Sequence, residues 1–170
     1  MKKKNVGTKR EQSGSRPSNP MPEQAQARPG IESEVVPAPQ FLAPDYKGSG
    51  KLQDKVALIT GGDSGIGRSA AVLFAREGAD VAIVHLPEEA GDAADTKTYV
   101  EAEGRKCFLI QGDVSKSTFC EKAVERTVTK LGRLDMLVNN AAYQKHRKSI
   151  EDITDEQRKT KNWRHRRSVD

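Results

Sequence analysis

Residues 56–67 read VALITGGDSGIG and contain the strongest structural signal in the chain. Val56 to Thr60 is a short apolar run without charge, which is typical of a β-strand that is buried on both faces. Gly61 and Gly62 end this strand, and apolar residues then recur at helical spacing as far as Gly78, which is predicted to close the helix. The predicted core face of this helix consists of Ile66, Ala70, Leu73 and Phe74.

The same alternation of strand and helix continues toward the end of the chain. Predicted strands cover 81–84, 107–110 and 134–138, and a predicted helix covers about 88–103. A further helix is expected to begin with Ser115 as its N-cap and to stop at Gly132. Its predicted core face consists of Phe119, Ala123, Val124, Val128 and Leu131. Three alternations followed by a fourth strand predict βαβ units and a parallel α/β sheet, with an expected strand order of 3-2-1-4.

The glycine-rich turn is a candidate nucleotide-binding loop. Glycines let a pyrophosphate approach the backbone, and the N-terminus of the following helix offers free N–H groups and the positive end of its dipole. Glycines also mark ordinary turns. This turn, however, follows a predicted strand and precedes a predicted helix and a second strand, and that context favours a nucleotide-binding loop. The predicted contacts are Gly61, Asp63, Ser64, Gly65, Ile66 and Gly67. Asp63 and Ser64 are alternatively plain loop residues.

Three motifs in order resemble the short-chain dehydrogenase/reductase family. The loop from Thr60 to Gly67 is similar to that family's TGxxxGxG loop, and Asp113 with Val114 follows the third strand, where the family has an acidic residue at the adenine. Residues 139–142 read NNAA and are similar to the family's NNAG motif, with Ala142 in place of the glycine. The resemblance covers about residues 50–155 and is greatest to a branch of bacterial general-stress oxidoreductases with an N-terminal extension.

This resemblance implies a fold and an activity. The implied fold is a Rossmann-type doubly wound parallel sheet, here its N-terminal half with about four strands. The implied activity is NAD(P)-dependent hydride transfer between an alcohol and a carbonyl, with Asn140 and Ala141 added to the cofactor-binding residues. The alternatives are that Asp113 only caps the next turn and that Asn139 and Asn140 are turn residues; in the family this asparagine also holds neighbouring strands together.

The choice between NAD and NADP stays open at the sequence level. Enzymes that use NAD usually place an acidic residue at the end of the second strand, where this chain has His85. His85 either faces a phosphate when protonated or merely ends the strand. Arg68 is the candidate basic residue for NADP.

The catalytic Tyr-x-x-x-Lys pair that the resemblance implies is not in the sequence. The residues four positions after Tyr46, Tyr99 and Tyr143 are Gly50, Glu103 and Arg147. We therefore expect a cofactor-binding fragment, 51–157, that lacks activity and is cut short before the catalytic residues. A reading-frame shift near Gln157 is expected to have produced the basic segment 158–170. The substrate of the full-length family member is an alcohol or carbonyl compound that the sequence does not identify.

Residues 1–50 contain seven of the eight prolines and differ in amino-acid composition from the rest of the chain. Their apolar groups are short and bounded by prolines, so they cannot bury enough surface to offset the entropy of ordering. We expect a disordered or loosely attached arm, with Phe41, Leu42 and Tyr46 pinning its last part to the domain.

Composition and charge restrict the remaining function classes. Hydrophobic residues make up 35% of the chain, and no run of about 18 apolar residues predicts a transmembrane helix. The two cysteines are too isolated for a zinc site or a disulfide framework, so no metal and a reduced, cytoplasmic setting are expected. Residues 51–144 carry 12 Lys/Arg against 14 Asp/Glu, so the net charge of +5 belongs to the two ends. The alternative function is therefore the binding of nucleic acid or another polyanion by the basic tails, although no nucleic-acid motif is present.

The fourth strand is expected to be an exposed apolar edge, open to self-association or aggregation.

Overall fold

The computed structural model describes residues 19–26, 30–142, 149, 151 and 154. Within these residues, four strands and three α-helices alternate: β1 (Val56–Thr60), α1 (Gly65–Arg76), β2 (Asp80–His85), α2 (Ala90–Ala102), β3 (Cys107–Gln111), α3 (Ser117–Leu131) and β4 (Met136–Asn139). The same part of the chain contains the 3-10 turns Glu32–Glu34 and Pro87–Glu89. The basic segment 158–170 and its Trp163 lie outside the described residues, as does the region around Gln157.

The strands form one parallel sheet in the order β3-β2-β1-β4, which confirms the predicted order and the Rossmann-type fold. Alternate strand residues point to opposite faces, and each face has its own apolar cluster. Residues of α1 and α2 cover the first cluster, which contains Ala57, Ile59, Ala71, Ala75, Val81, Ile83, Val100 and Cys107. Residues of α3 cover the second, which contains Leu58, Ala82, Val84, Ile110 and Ala123. Helices on both faces explain why the strands read as continuous apolar runs.

Glycines end the helices as predicted. Gly78, Gly104 and Gly132 have φ values of +100°, +79° and +89° after α1, α2 and α3. These left-handed conformations carry almost no steric cost for glycine, which lacks a Cβ atom. The glycines therefore predicted where the helices end more accurately than the apolar pattern predicted where the helices and strands begin.

The predicted helix faces and starts were wrong at several positions. Ile66 is 82% exposed because it lies in the outward first turn of α1, and the buried side of that helix includes Arg68 instead. Val124 and Val128 of α3 are 38% and 42% exposed, so Ala123 and Thr127 form its buried contact.

Three predicted starts also differ from the structure. Ser115 is not the N-cap of α3, since its N–H and hydroxyl both bond Asp113 and the helix begins two residues later at Ser117. The second helix begins at Ala90, after the 3-10 turn Pro87–Glu89, rather than at residue 88. The fourth strand begins at Met136 rather than at residue 134.

The described part of the arm from Gly30 onward lies against the domain. The rings of Phe41 and Tyr99 meet edge to face at 4.9 Å, and Arg76 Nη1 donates to the Leu42 carbonyl oxygen at 2.8 Å. The Glu77 carboxylate accepts hydrogen bonds from the Tyr46 hydroxyl and from the Lys51 N–H. These contacts confirm the predicted pinning of the end of the arm.

The fourth strand lies at one edge of the described sheet and pairs with β1 alone. Leu137, near its middle, is 53% exposed. Self-association through this edge stays a prediction. Of the helices within the described ranges, none combines the length and the apolar composition needed to span a bilayer.

Candidate dinucleotide site

The predicted site residues lie at the carboxyl ends of the four strands, at one edge of the sheet. The loop 61–64 joins β1 to α1, His85 ends β2, Asp113 follows β3, and Asn140 follows β4. In open parallel sheets, ligands bind outside the carboxyl ends of the strands, at the point where the chain order reverses. Here that point lies between β1 and β4, directly beside the glycine-rich loop.

Gly67 lets α1 approach the end of β1 more closely than any other residue type would allow. A Cβ atom on Gly67 would stand 1.9 Å from the Gly61 carbonyl oxygen and 2.6 Å from Asn140 Nδ2. By contrast, a Cβ atom on Gly65, whose φ is +50°, would meet nothing within 4 Å. The loop is thus compressed against the sheet on one side and open on the other, as a backbone cradle for a ligand requires.

Asn140 and Thr60 tie the glycine-rich loop to the end of β4. Asn140 Nδ2 donates to the carbonyl oxygens of Thr60 at 3.1 Å and Gly61 at 2.8 Å. The Thr60 hydroxyl oxygen accepts from the N–H groups of Asn140 and Ala141, both at 3.0 Å. The structure therefore brings Gly61, Asn140 and Ala141 together and gives Asn140 the strand-holding role that the resemblance implied.

Asp63 carries a buried carboxylate inside the loop. It is 2% exposed, and its Oδ1 atom has no hydrogen-bond partner among the described residues. Burial raises the pKa of this carboxyl, although a hydrogen bond from Ser64 opposes the shift. A buried polar atom without a partner costs about 1–3 kcal/mol, so a ligand hydroxyl that donated to Oδ1 would be bound favourably.

His85 is buried at the end of β2. It is 5% exposed, it pairs with Gln111 of β3, and its Nδ1 atom lies 2.8 Å from the Leu86 carbonyl oxygen. Burial also raises the pKa of Glu89, whose Oε2 accepts the Leu86 N–H at 2.9 Å. The end of β2 therefore holds the His85 ring together with Asp63 and Glu89, two carboxyl groups whose charged forms burial disfavours.

Asp113 lies farthest from the loop, after the outer strand β3. Its two carboxylate oxygens accept the N–H of Ser115 at 2.9 Å and the hydroxyl of Ser115 at 2.7 Å. These bonds lower the pKa of Asp113, so the group is charged at neutral pH. Asp113 does cap the next turn, and Val114 packs beneath it against the second apolar cluster.

Arg68 is not available to a cofactor phosphate. It is 4% exposed and its guanidinium binds Glu32 and Asp92 between α1 and α2. The sequence suggested Arg68 as a basic residue for NADP because it follows the loop in the chain. The structure corrects this interpretation, since the helix turns Arg68 away from the sheet edge and into a buried ion network.

Three residues that support the loop were not found from the sequence. They are Glu32 in the arm, and Asp92 and Thr96 in α2. The Thr96 hydroxyl donates to the Asp63 carbonyl oxygen at 2.8 Å, and Arg68 Nε donates to the same oxygen at 2.9 Å. No sequence pattern singles out these residues, because an acid in a proline-rich segment and polar residues on a weakly amphipathic helix are usually solvated.

Comparison with known proteins agrees with this geometry. A family model described as short chain dehydrogenase matches residues 55–162. The chain is 59% identical over 138 residues to general stress protein 39 of Bacillus subtilis, an alignment that covers 81% of this chain and 48% of that protein. The chain thus spans about half the length of the curated relatives it matches.

Solved structures show the same arrangement of strands and helices. Carveol dehydrogenase from Mycobacterium avium, in complex with NAD, aligns with a TM-score of 0.57 and 34% identity over 64% of this chain and 43% of that one. A short chain dehydrogenase from Burkholderia cenocepacia, in complex with NADP, aligns with a TM-score of 0.56 and 39% identity over 63% and 43%. With a glycine-rich loop pressed against the sheet at its switch point and a family match over more than half of its length, the chain belongs to the short chain dehydrogenase family.

Proposed function

We propose that the chain binds NAD or NADP at the carboxyl edge of its sheet and serves as the dinucleotide-binding part of an oxidoreductase. The observation that carries the proposal is the glycine-rich loop: Gly67 closes it against the Gly61 carbonyl, while Gly65 and Ile66 face open space. The Gly65 N–H is bound by Glu32, whereas the N–H groups of Ile66 and Gly67 in the first turn of α1 have no acceptor within the helix, so these two suit a pyrophosphate.

The residues present fit a dinucleotide in other respects as well. The unpartnered Oδ1 of Asp63 is an acceptor suited to a ribose hydroxyl, and His85 lies at the neighbouring strand end. The Asp113 and Val114 turn is proposed to border the adenine. Asn140 and Ala141 are proposed to border the part of the cofactor that extends past β4. Ser64 and Gly61 complete the loop around the phosphates.

These positions indicate what the cofactor and the protein residues would each contribute to the reaction. A bound nicotinamide ring supplies or accepts a hydride, and in the whole protein we propose an alcohol or a carbonyl compound as its partner. The residues of this chain bind and orient: Asn140 holds the loop against β4, and the buried network at Arg68 holds it against α2. The proton transfer that accompanies hydride transfer needs a general acid or base, and the 170 residues contain no Tyr-x-x-x-Lys pair for it.

Direct binding measurements test the proposal. We expect NAD or NADP to bind the 170-residue chain in isothermal titration calorimetry, and we expect Gly67→Ala to abolish binding because the new methyl group would displace α1 from the loop. Gly91→Ala is the matched control, since a Cβ atom at Gly91 of α2 would meet nothing within 4 Å. Far-UV circular dichroism verifies that both variants fold. Failure of the wild-type chain to bind either dinucleotide, or equal binding by the folded Gly67→Ala variant, would refute the proposal.

A further inference from the structure

A buried ion network connects the N-terminal arm to the glycine-rich loop. Its three charged members are Glu32 from the arm, Arg68 from α1 and Asp92 from α2, which are 7%, 4% and 3% exposed. Charged side chains are seldom buried to this degree unless they are paired. The network therefore fixes three separate segments of the chain relative to one another.

Both carboxylate oxygens of Glu32 are used within this network. One accepts a hydrogen bond from Arg68 Nη1, and the other accepts the backbone N–H of Gly65, the first residue of α1. The Glu32 N–H donates to Asp92 Oδ2 at 2.8 Å, so the backbone of the arm is held at the same place. A residue of the arm thus bonds directly to the loop that carries the proposed ligand.

Arg68 extends the same network to the other side of the loop. Its Nε donates to the Asp63 carbonyl oxygen at 2.9 Å and to Thr96 Oγ1 at 2.8 Å, and its Nη2 donates to the Asp92 carbonyl oxygen at 3.0 Å. Glu32 orients the guanidinium that makes these bonds. Loss of the Glu32 charge would therefore loosen both Gly65 and Asp63.

The N-terminus of α1 shows why an external carboxylate is needed there. Ser64 occupies the N-cap position but makes no capping hydrogen bond with its side chain. Glu32 accepts the Gly65 N–H at this helix end, while the next residue, Ile66, is 82% exposed and leaves its side of the first turn open. The charge of Glu32 is compensated by Arg68, so the carboxylate holds the Gly65 N–H and leaves the N–H groups of Ile66 and Gly67 to a ligand.

We propose that Glu32 is a positioning residue of the dinucleotide site, which acts through Gly65 and Arg68 to hold the glycine-rich loop in its binding geometry before the ligand arrives. This inference rests on the proposed function. A loop that is already ordered loses less conformational entropy on binding, and affinity rises accordingly. The arm thereby helps to hold the cofactor-binding loop in place, although it precedes the first strand of the domain.

The test compares Glu32→Gln with Glu34→Gln in the 170-residue chain. Glutamine at 32 places an NH₂ group opposite one of the two donors, Arg68 or the Gly65 N–H, whereas Glu34 in the same 3-10 turn is exposed. We expect Glu32→Gln to weaken binding of NAD or NADP about tenfold, which is about 1.4 kcal/mol, and Glu34→Gln to leave it within about twofold. We also expect the Gly65 amide to exchange its hydrogen about tenfold faster in Glu32→Gln, by nuclear magnetic resonance.

The outcomes separate this inference from the proposed function. Wild-type binding that Glu32→Gln leaves unchanged or strengthens would overturn the positioning role while the proposed function stands. If the wild-type chain binds neither dinucleotide, the proposed function fails, and equal Gly65 exchange in the two variants would then overturn the positioning of the loop as well. Should Glu32→Gln not fold, Glu32→Asp keeps the charge beside Arg68 but shortens the reach to Gly65, and undiminished affinity in that variant refutes the inference.

Discussion

Replacing Arg68 by methionine tests whether the buried ion network stabilises the fold. Methionine keeps much of the apolar stem of the side chain but removes the guanidinium. Glu32 and Asp92 are then left as two buried carboxylates without a cation. Of the bonds that the described residues make to the Asp63 carbonyl oxygen, the one from Thr96 then remains.

The magnitude follows from the burial of these groups. Breaking a buried ion pair by removing one partner costs about 3–5 kcal/mol, because the remaining charge stays uncompensated. A domain of this kind has a total stability of about 5–15 kcal/mol, so the Arg68→Met variant is expected to be marginally folded. The Arg68 guanidinium also lies 5.1 Å from the centre of the Phe41 ring, and a buried cation–π contact of this kind is worth about 2 kcal/mol, which is less than the loss expected from the ion pairs.

Urea unfolding followed by far-UV circular dichroism measures the effect. Arg126→Met is the matched control, since Arg126 is exposed and lies 5.5 Å above the Phe108 ring, and we expect it to cost less than about 1 kcal/mol. Adding Glu32→Gln and Asp92→Asn to Arg68→Met neutralises the two carboxylates and should recover at least about 1–2 kcal/mol, as coupled neighbours do. A loss below about 1 kcal/mol for Arg68→Met, or no recovery in the triple variant, would show that the network does not stabilise the fold.

Three further predictions concern the strand ends, the arm and the core. Asn140→Ala should lower the free energy of unfolding by about 1–3 kcal/mol, because two carbonyl oxygens lose their donor. Asn139→Ala, at an exposed position, is the control, and equal losses in urea unfolding would contradict the prediction. Hydrogen bonds from Tyr46 and from the Lys51 N–H lower the pKa of Glu77 from 4.5 to about 2, so its contribution to stability is complete above pH 4.5 and is lost as the pH falls toward 2. The difference in thermal midpoint between the wild-type chain and Glu77→Gln should therefore shrink over that range, and a constant difference would exclude this linkage. Burial raises the pKa of Cys107 to about 12, so a thiol reagent at pH 8 should leave it unmodified in the folded chain, and rapid labelling of Cys107 detected by peptide mass spectrometry would disagree.

The sheet and the loop were predictable because their signals are local. Each strand is an apolar run, and each helix ends at a glycine whose left-handed conformation the sequence anticipates, as at Gly78 and Gly132. The strand order followed from the alternation of elements, and the positions of Gly61 and Asn140 at one sheet edge followed from that order.

The supporting network was not predictable because its members are far apart in the chain. Arg68 meets Glu32 from 36 positions away and Asp92 from 24, and a charged residue carries no sign in the sequence that a partner will bury it. Ile66 shows the opposite error: an apolar residue in the right period was expected in the core, but the first turn of α1 faces away from the sheet. Periodicity reports the average face of a helix, whereas burial at its ends depends on what the neighbouring segments place there.

The strand order of the sheet also sets how long a stretch of chain each strand pair must close during folding. The link between Asp80 and Lys106 at the β2–β3 pair spans 26 positions, while the link between Val56 and Asp135 at the β1–β4 pair spans 79. Closing the longer loop costs about 1 kcal/mol more in chain entropy, and distant pairings slow folding. The link from the Asp80 N–H to the Lys55 carbonyl oxygen at the β1–β2 pair spans 25 positions, so we expect β1 to pair first with β2 and to carry an open edge until β4 is synthesised. The nascent chain passes through a stage in which its most apolar strand is available to chaperones or to other chains.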